Sequence, residues 1–172
     1  MAEARRRRWL VFGAQFLGLL VAIAIAQFVI GWVRAGDPAP ALGGRMLDGS
    51  SVALSGEAPP GRVVLVHFWA SWCPICRLEL DSIDALARDY EVISVAMQSG
   101  DAAEVGAYLR EQGAAFPVLL DESGALGERW GVRGVPMSFV IDADGRMRFV
   151  ERGYVTGAGL RLRMWLAEQV SG

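Results

Sequence analysis

The chain has 172 residues, 53% of them hydrophobic, and a formal net charge of −2, which fits one domain with an apolar addition rather than an array of domains. All 17 basic residues are arginine; five lie in residues 1–34 with one glutamate, leaving 12 arginines against 18 acidic residues, a net of −6, in the rest. An acidic body with scattered arginines excludes a nucleic-acid partner, and the absence of lysine removes one means of tuning a thiol.

At the N-terminus, Arg5 to Arg8 precede residues 9–33, which carry no charge. As a helix this stretch is about 37 Å long, enough to cross a ~30 Å hydrocarbon core with some tilt. Trp9 and Trp32 lie near its ends, where amphipathic rings favour the membrane interface. The competing reading is a cleaved signal peptide, with Ala24-Ile25-Ala26 as its cleavage site. The apolar run is far longer than the roughly 7–15 residues of a signal peptide, and that site lies deep inside it. The expectation is therefore a single-pass anchor at 9–33, with the basic segment 1–8 in the cytoplasm and residues from about 35 onward on the outer face. That side is oxidising, yet the chain has only two cysteines, three positions apart. A loop that small would constrain the unfolded chain too little to serve as a stabilising bridge.

Residues 34–44, rich in Pro and Gly, read as a linker, and 45–172 as one domain. Asp48-Gly49 marks a hairpin. RVVLVHFW, residues 62–69, is a nearly continuous apolar run, the pattern of a strand buried on both faces. Residues 74–88 predict a helix with Pro74 in its first turn, and EVISVAM, 91–97, a second buried strand that completes β-α-β. A helix follows at 101–113, closed by Gly113, then a short strand at 116–121 and a short helix within 122–131. Residues 137–142 and 146–151 flank Asp142-Ala143-Asp144-Gly145, a hairpin signal, and a last helix covers roughly 157–170 with Leu160, Met164, Trp165 and Leu166 on one face.

The chemistry concentrates at FWASWCPICR, residues 68–77, where Cys73 falls at the change from buried strand to helix. Backbone N–H groups at a helix start stabilise a thiolate and lower its pKa below the ~8.5 of a free thiol. Cys76 lies one turn inward and Pro74 stiffens the turn, an arrangement suited to attack by Cys73 and resolution by Cys76.

VVLVHFWASWCPICR, followed by β-α-β and by GVPMSFVID some 60 residues later, resembles the thioredoxin superfamily. The upstream hairpin, the W-C-P-x-C form and the apolar N-terminus resemble its exported TlpA/ResA/DsbE branch. VAMQSGD and the Pro-Ile dipeptide are similar to the ScsD type, linked by name to copper sensitivity. The resemblance covers residues 40–170. It implies an α/β thioredoxin-like fold, a central mixed sheet flanked by helices, behind an N-terminal transmembrane helix. It further implies a periplasmic thiol:disulfide oxidoreductase on the bacterial inner membrane. Its partners would be protein thiols and disulfides and a membrane electron donor of the DsbD type, and it would need no cofactor beyond the Cys73–Cys76 pair. Trp72 and Pro74 would form the substrate-receiving rim, and Val135–Pro136 the cis-proline loop facing the dithiol.

A structural zinc site wants four ligands, and only His67 could join the two cysteines, so no metal is assigned. A copper(I)-handling module that uses the same thiols without turnover is the alternative, with Met97 and Met137 as further soft ligands. Trp69 reads as a core aromatic, and Arg77 and Glu79 as a solvated helix face. His67 departs from the resemblance, which has Asp or Asn there; it could relay the proton of Cys76 or be a hydrogen-bonded core histidine.

Overall fold

The computed structural model describes residues 9, 12–22, 25, 36–54 and 62–170. The chain divides into two units, Met1–Arg34 and Ala35–Gly172. In the first, residues 12–22 are helical and exposed. No helix among the described residues is long and apolar enough to cross a membrane. The basic segment 1–8 and the rest of the expected 9–33 span lie outside the described residues.

The second unit opens with a hairpin, β1 (Leu42–Arg45) against β2 (Ser51–Leu54), turned at Asp48-Gly49. Gly49 has φ +86°, a conformation that side chains disfavour, and Asp48 accepts hydrogen bonds from the N–H and Oγ of Ser50. Just before it, within the stretch read as a linker, Gly36 donates to Met147 O and Ala39 to Gly145 O.

Five strands build the main sheet: β3 (Val64–Trp69), β4 (Glu91–Met97), β5 (Val118–Asp121), β6 (Met137–Ile141) and β7 (Met147–Arg152). Their order is β5-β4-β3-β6-β7, with β3, β4 and β5 parallel and β6 and β7 antiparallel, the mixed sheet expected. β3 is central and all six of its residues are buried, which is why it reads as a continuous apolar run. Its alternation divides the core. Val64, Val66 and Phe68 face one side, where Phe68, Trp130 and Phe139 meet with ring centroids 5.1–5.8 Å apart. Leu65, His67 and Trp69 face the other.

The helices are α1 (Pro74–Arg77), α2 (Leu80–Ala87), α3 (Ala102–Gln112), α4 (Ala125–Arg129) and α5 (Gly157–Val170). α3 starts in a capping box, Asp101 with Glu104, and ends at left-handed Gly113, as its sequence signals require. Two expectations are corrected. The helix at 74–88 breaks at Leu78–Glu79, where the bonds tighten to Leu78 N–H→Ile75 O and Glu79 N–H→Cys76 O, both 3.1 Å. On α5 the buried stripe is Leu160, Met164 and Ala167, the i, i+4, i+7 set; Trp165, about 100° round from Met164, is exposed.

Candidate active site

β3 ends at Trp69, and the chain turns over Ala70 to Trp72 before α1. Cys73 N–H closes that turn on Ala70 O at 3.2 Å, and Ser71 N–H donates to Ser99 Oγ at 3.0 Å. The indole of Trp72 is 61% exposed, and its Nε1–H donates to Gln98 O at 3.0 Å. Gln98 itself has φ +48°, the one described non-glycine residue with positive φ. Left-handed backbone at the end of β4 is therefore part of what fixes the rim tryptophan.

Cys73 caps α1 and is joined to Cys76 by a disulfide, with a Cα–Cα separation of 5.3 Å, ordinary for such a bond. Cys76 N–H points at Cys73 Sγ, 3.1 Å away, and is the donor that would stabilise a Cys73 thiolate after reduction. α1 has only four residues, so this single N–H, more than a helix dipole, is the local source of thiolate stabilisation. Cys73 is 5% exposed and Cys76 0%. The order of exposure is as expected, but Cys73 is no open surface sulfur, and Trp72, Pro74 and Ile75 beside it in sequence are exposed.

Across from the disulfide, the Val135–Pro136 peptide is cis, as the resemblance implied, and Val135 O lies 3.6 Å from Cys73 Sγ. The Val135 N–H has no hydrogen bond among the described residues, whereas Pro136 O accepts from Gly153 N–H at 2.9 Å. Backbone beside the reactive sulfur is thus left open to an extended peptide. Met137, one of the two suggested copper ligands, is buried in the core; Met97 is half-buried beside Gly127.

A buried polar pair joins β3 to the start of α2. His67 sits between Ser94 on β4 and Ser138 on β6 in register, and its Nδ1 is 2.9 Å from Ser138 Oγ. Its Nε2 is 3.9 Å from Oε2 of Glu79, and both side chains are 1% exposed. Glu79 is therefore not on a solvated face; that reading is overturned. Its Oε1 accepts Val155 N–H at 2.6 Å, and this inward turn accompanies the break between α1 and α2. Burial pushes the Glu79 carboxyl up to about 7, partly opposed by the Val155 hydrogen bond, and pushes His67 down to about 4. At neutral pH the imidazole is uncharged, so the pair is no salt bridge. Sequence reasoning missed Glu79, although its spacing from Cys76 and Ile83, both buried, puts it on the inner side of the helix.

The sequence profile of the Redoxin family matches residues 34–159. A thioredoxin-like protein of Haemophilus influenzae is 33% identical over 71% of this chain and 72% of its own. A thiol:disulfide interchange protein DsbE homolog of Paracoccus denitrificans is 39% identical over 65% of this chain, and the match spans 63% of that relative, a little under two thirds. Among solved structures, a Chlorobium tepidum protein described as a thiol:disulfide interchange protein DsbE superposes with a TM-score of 0.69. It is 28% identical, and the match covers 78% of this chain and 97% of that one.

Proposed function

The chain belongs to the Redoxin family, among the thiol–disulfide oxidoreductases of thioredoxin-like fold, and from that premise we propose that it reduces protein disulfides through Cys73 and Cys76. The observation that carries this is the juxtaposition of the Cys73–Cys76 disulfide with the open backbone of Val135, 3.6 Å from Cys73 Sγ. In the reaction, the Cys73 thiolate attacks one sulfur of a partner disulfide, forming a mixed disulfide and expelling the other sulfur as thiolate. Cys76 then attacks Cys73 Sγ, re-forming the internal disulfide and releasing the partner as a dithiol. Two electrons pass to the partner, and none of this chemistry calls for a group beyond the chain's own cysteines.

Val135 N–H and O offer strand-like pairing to the partner segment, and Trp72 and Pro74 provide the apolar edge on which it rests. Cys76 must lose its proton to attack, and Glu79, three residues on and titrating near neutrality, is the group to receive it. The Val155 N–H holds that carboxyl, and His67, neutral and held by Ser138, does not carry the proton as imidazolium.

The domain works outside the cytoplasmic membrane, tethered by residues 9–33. The uncharged length of that segment and the exposed Phe12, Phe16, Leu17 and Leu20 on its described helix support the tether. A membrane-borne dithiol donor of the DsbD type returns the electrons, favoured by the high effective concentration that tethering gives. Reduction of insulin by the full chain with a thiol donor tests the proposal: turnover that is lost in Cys73→Ser supports it, and no turnover at all overturns it.

A further inference from the structure

The rim of the dithiol is lopsided in charge. Of the 12 arginines in residues 35–172, five have neither a carboxylate nor a carbonyl partner among the described residues: Arg77, Arg110, Arg129, Arg133 and Arg152. Three of these five lie on the segments that carry the dithiol or the loop facing it, or on the strand paired next to that loop. Arg77 follows Cys76 directly and closes α1. Arg133 lies two residues before Val135, in the loop that faces Cys73. Arg152 ends β7 in register with Met137, beside Pro136, whose carbonyl binds the next residue, Gly153. All three are exposed.

The carboxylates around them do little to offset this. Glu79 is buried, Glu151 is bound by Arg163 at 2.5 Å, and Asp101 and Glu104 are tied into the cap of α3. Asp81, exposed in the first turn of α2, and Glu128, exposed five residues before Arg133, are the uncommitted acids close in sequence to these arginines. Since residues 35–172 carry a net −6, an under-neutralised cationic rim is contrary to the bulk of the surface. On the dithiol segment itself Trp72, Ile75 and Leu78 are exposed apolar side chains, with Leu78 69% exposed. Leu78 faces out at the same break that turns Glu79 in.

We infer that the partner segment presented to Cys73 is an extended stretch whose cysteine is flanked by apolar residues and by carboxylates. The arginines attract it, and the exposed apolar side chains seat it. This deepens the oxidoreductase reading and rests on it. Exposed charges at a binding rim act mainly on association rate and partner choice, and their effect fades with salt.

The test uses three disulfide-linked peptide dimers, identical and apolar around the cysteine, with Glu, Gln or Lys at two flanking positions. Each reacts with the pre-reduced full chain in uncharged detergent, and the second-order rate of disulfide transfer is read from tryptophan fluorescence. At low ionic strength the Glu peptide should react about tenfold faster than the Lys peptide, and the ratio should shrink towards one near ~1 M salt, where the Debye length is ~3 Å. The triple variant Arg77→Gln, Arg133→Gln, Arg152→Gln should lose the preference, and the corresponding Arg→Lys triple should keep it. A Glu-to-Lys ratio of one or less in the natural chain at low salt, with all three peptides reacting, overturns this inference alone. If no peptide reacts, the oxidoreductase reading falls, and this inference with it.

Discussion

Glu79 Oε2 and His67 Nε2 face each other across 3.9 Å in the interior, one raised to about 7 and the other lowered to about 4 by the same burial. Both groups are thus neutral over most of the acid range, and the one that changes charge near physiological pH is the carboxyl. The rate at which Cys76 resolves a mixed disulfide should therefore rise with pH through about 7. In Glu79→Gln that inflection should vanish; in His67→Asn it should move but persist. Single-turnover kinetics between pH 5 and 9 decide this, and an unchanged inflection in Glu79→Gln would exclude the carboxyl as acceptor.

The same pair shapes stability. Glu79 keeps its proton in the fold up to about 7 but loses it near 4.5 when unfolded, so its contribution is present at low pH and is lost as pH rises across that window. His67 runs the other way: the unfolded chain takes up a proton below about 6.5 and the fold only near 4, so stability falls as pH drops through that range. The two slopes oppose each other between 4.5 and 6.5, leaving a plateau there. Glu79→Gln should remove the loss on the alkaline side, gaining up to about 3 kcal/mol at pH 8 relative to its effect at pH 5. Urea denaturation at the two pH values measures it; equal effects would contradict the raised carboxyl.

Replacing His67 itself should separate packing from hydrogen bonding. His67→Ala leaves a cavity and deprives buried Ser138 Oγ of its partner, a loss of about 2–4 kcal/mol. His67→Asn can keep a bond to Ser138 and should cost about half as much. Equal losses on chemical denaturation would show that the Ser138 contact contributes nothing.

At the rim, the Gln98 backbone, not its side chain, should matter. Gln98→Gly suits φ +48° and should leave the Trp72 bond intact, whereas Gln98→Val forces a β-branched residue into that region at a cost of about 1–3 kcal/mol. The valine variant should show increased mobility of Trp72 in fluorescence anisotropy and slower attack on large protein disulfides. Identical behaviour of the two variants would contradict the role given to the backbone.

Much of this was legible in the chain itself. The apolar run of β3, the Cys-Pro-Ile-Cys turn, the hairpin at Asp48-Gly49, the capped α3 and the Val-Pro before β6 are all local signals, set by neighbours within a few residues. What escaped was tertiary. The spacing of Glu79 from Cys76 and Ile83 points it inward, but its hydrogen-bond partner there, the Val155 N–H 76 residues away, is announced by nothing adjacent to it. The break at Leu78–Glu79 is likewise not a local signal, since helix propensity alone would carry Pro74 through to Arg88 without interruption. The sequence groups Trp165 with Leu160, Met164 and Leu166 on one face, whereas the stripe that α5 buries is Leu160, Met164 and Ala167.

The direction of electron flow is decided by the reduction potential of the Cys73–Cys76 pair. A single N–H at 3.1 Å, no lysine in the chain, an uncharged His67 and rim arginines that are exposed and screened by solvent give the Cys73 thiolate only moderate support, which disfavours a strongly oxidising pair. Equilibration of the full chain with thiol–disulfide buffers should give a value between about −270 and −180 mV, the range from thioredoxin to protein disulfide isomerase. A value near about −120 mV, with the pair held oxidised in cells, would make the protein an oxidant of its partners instead.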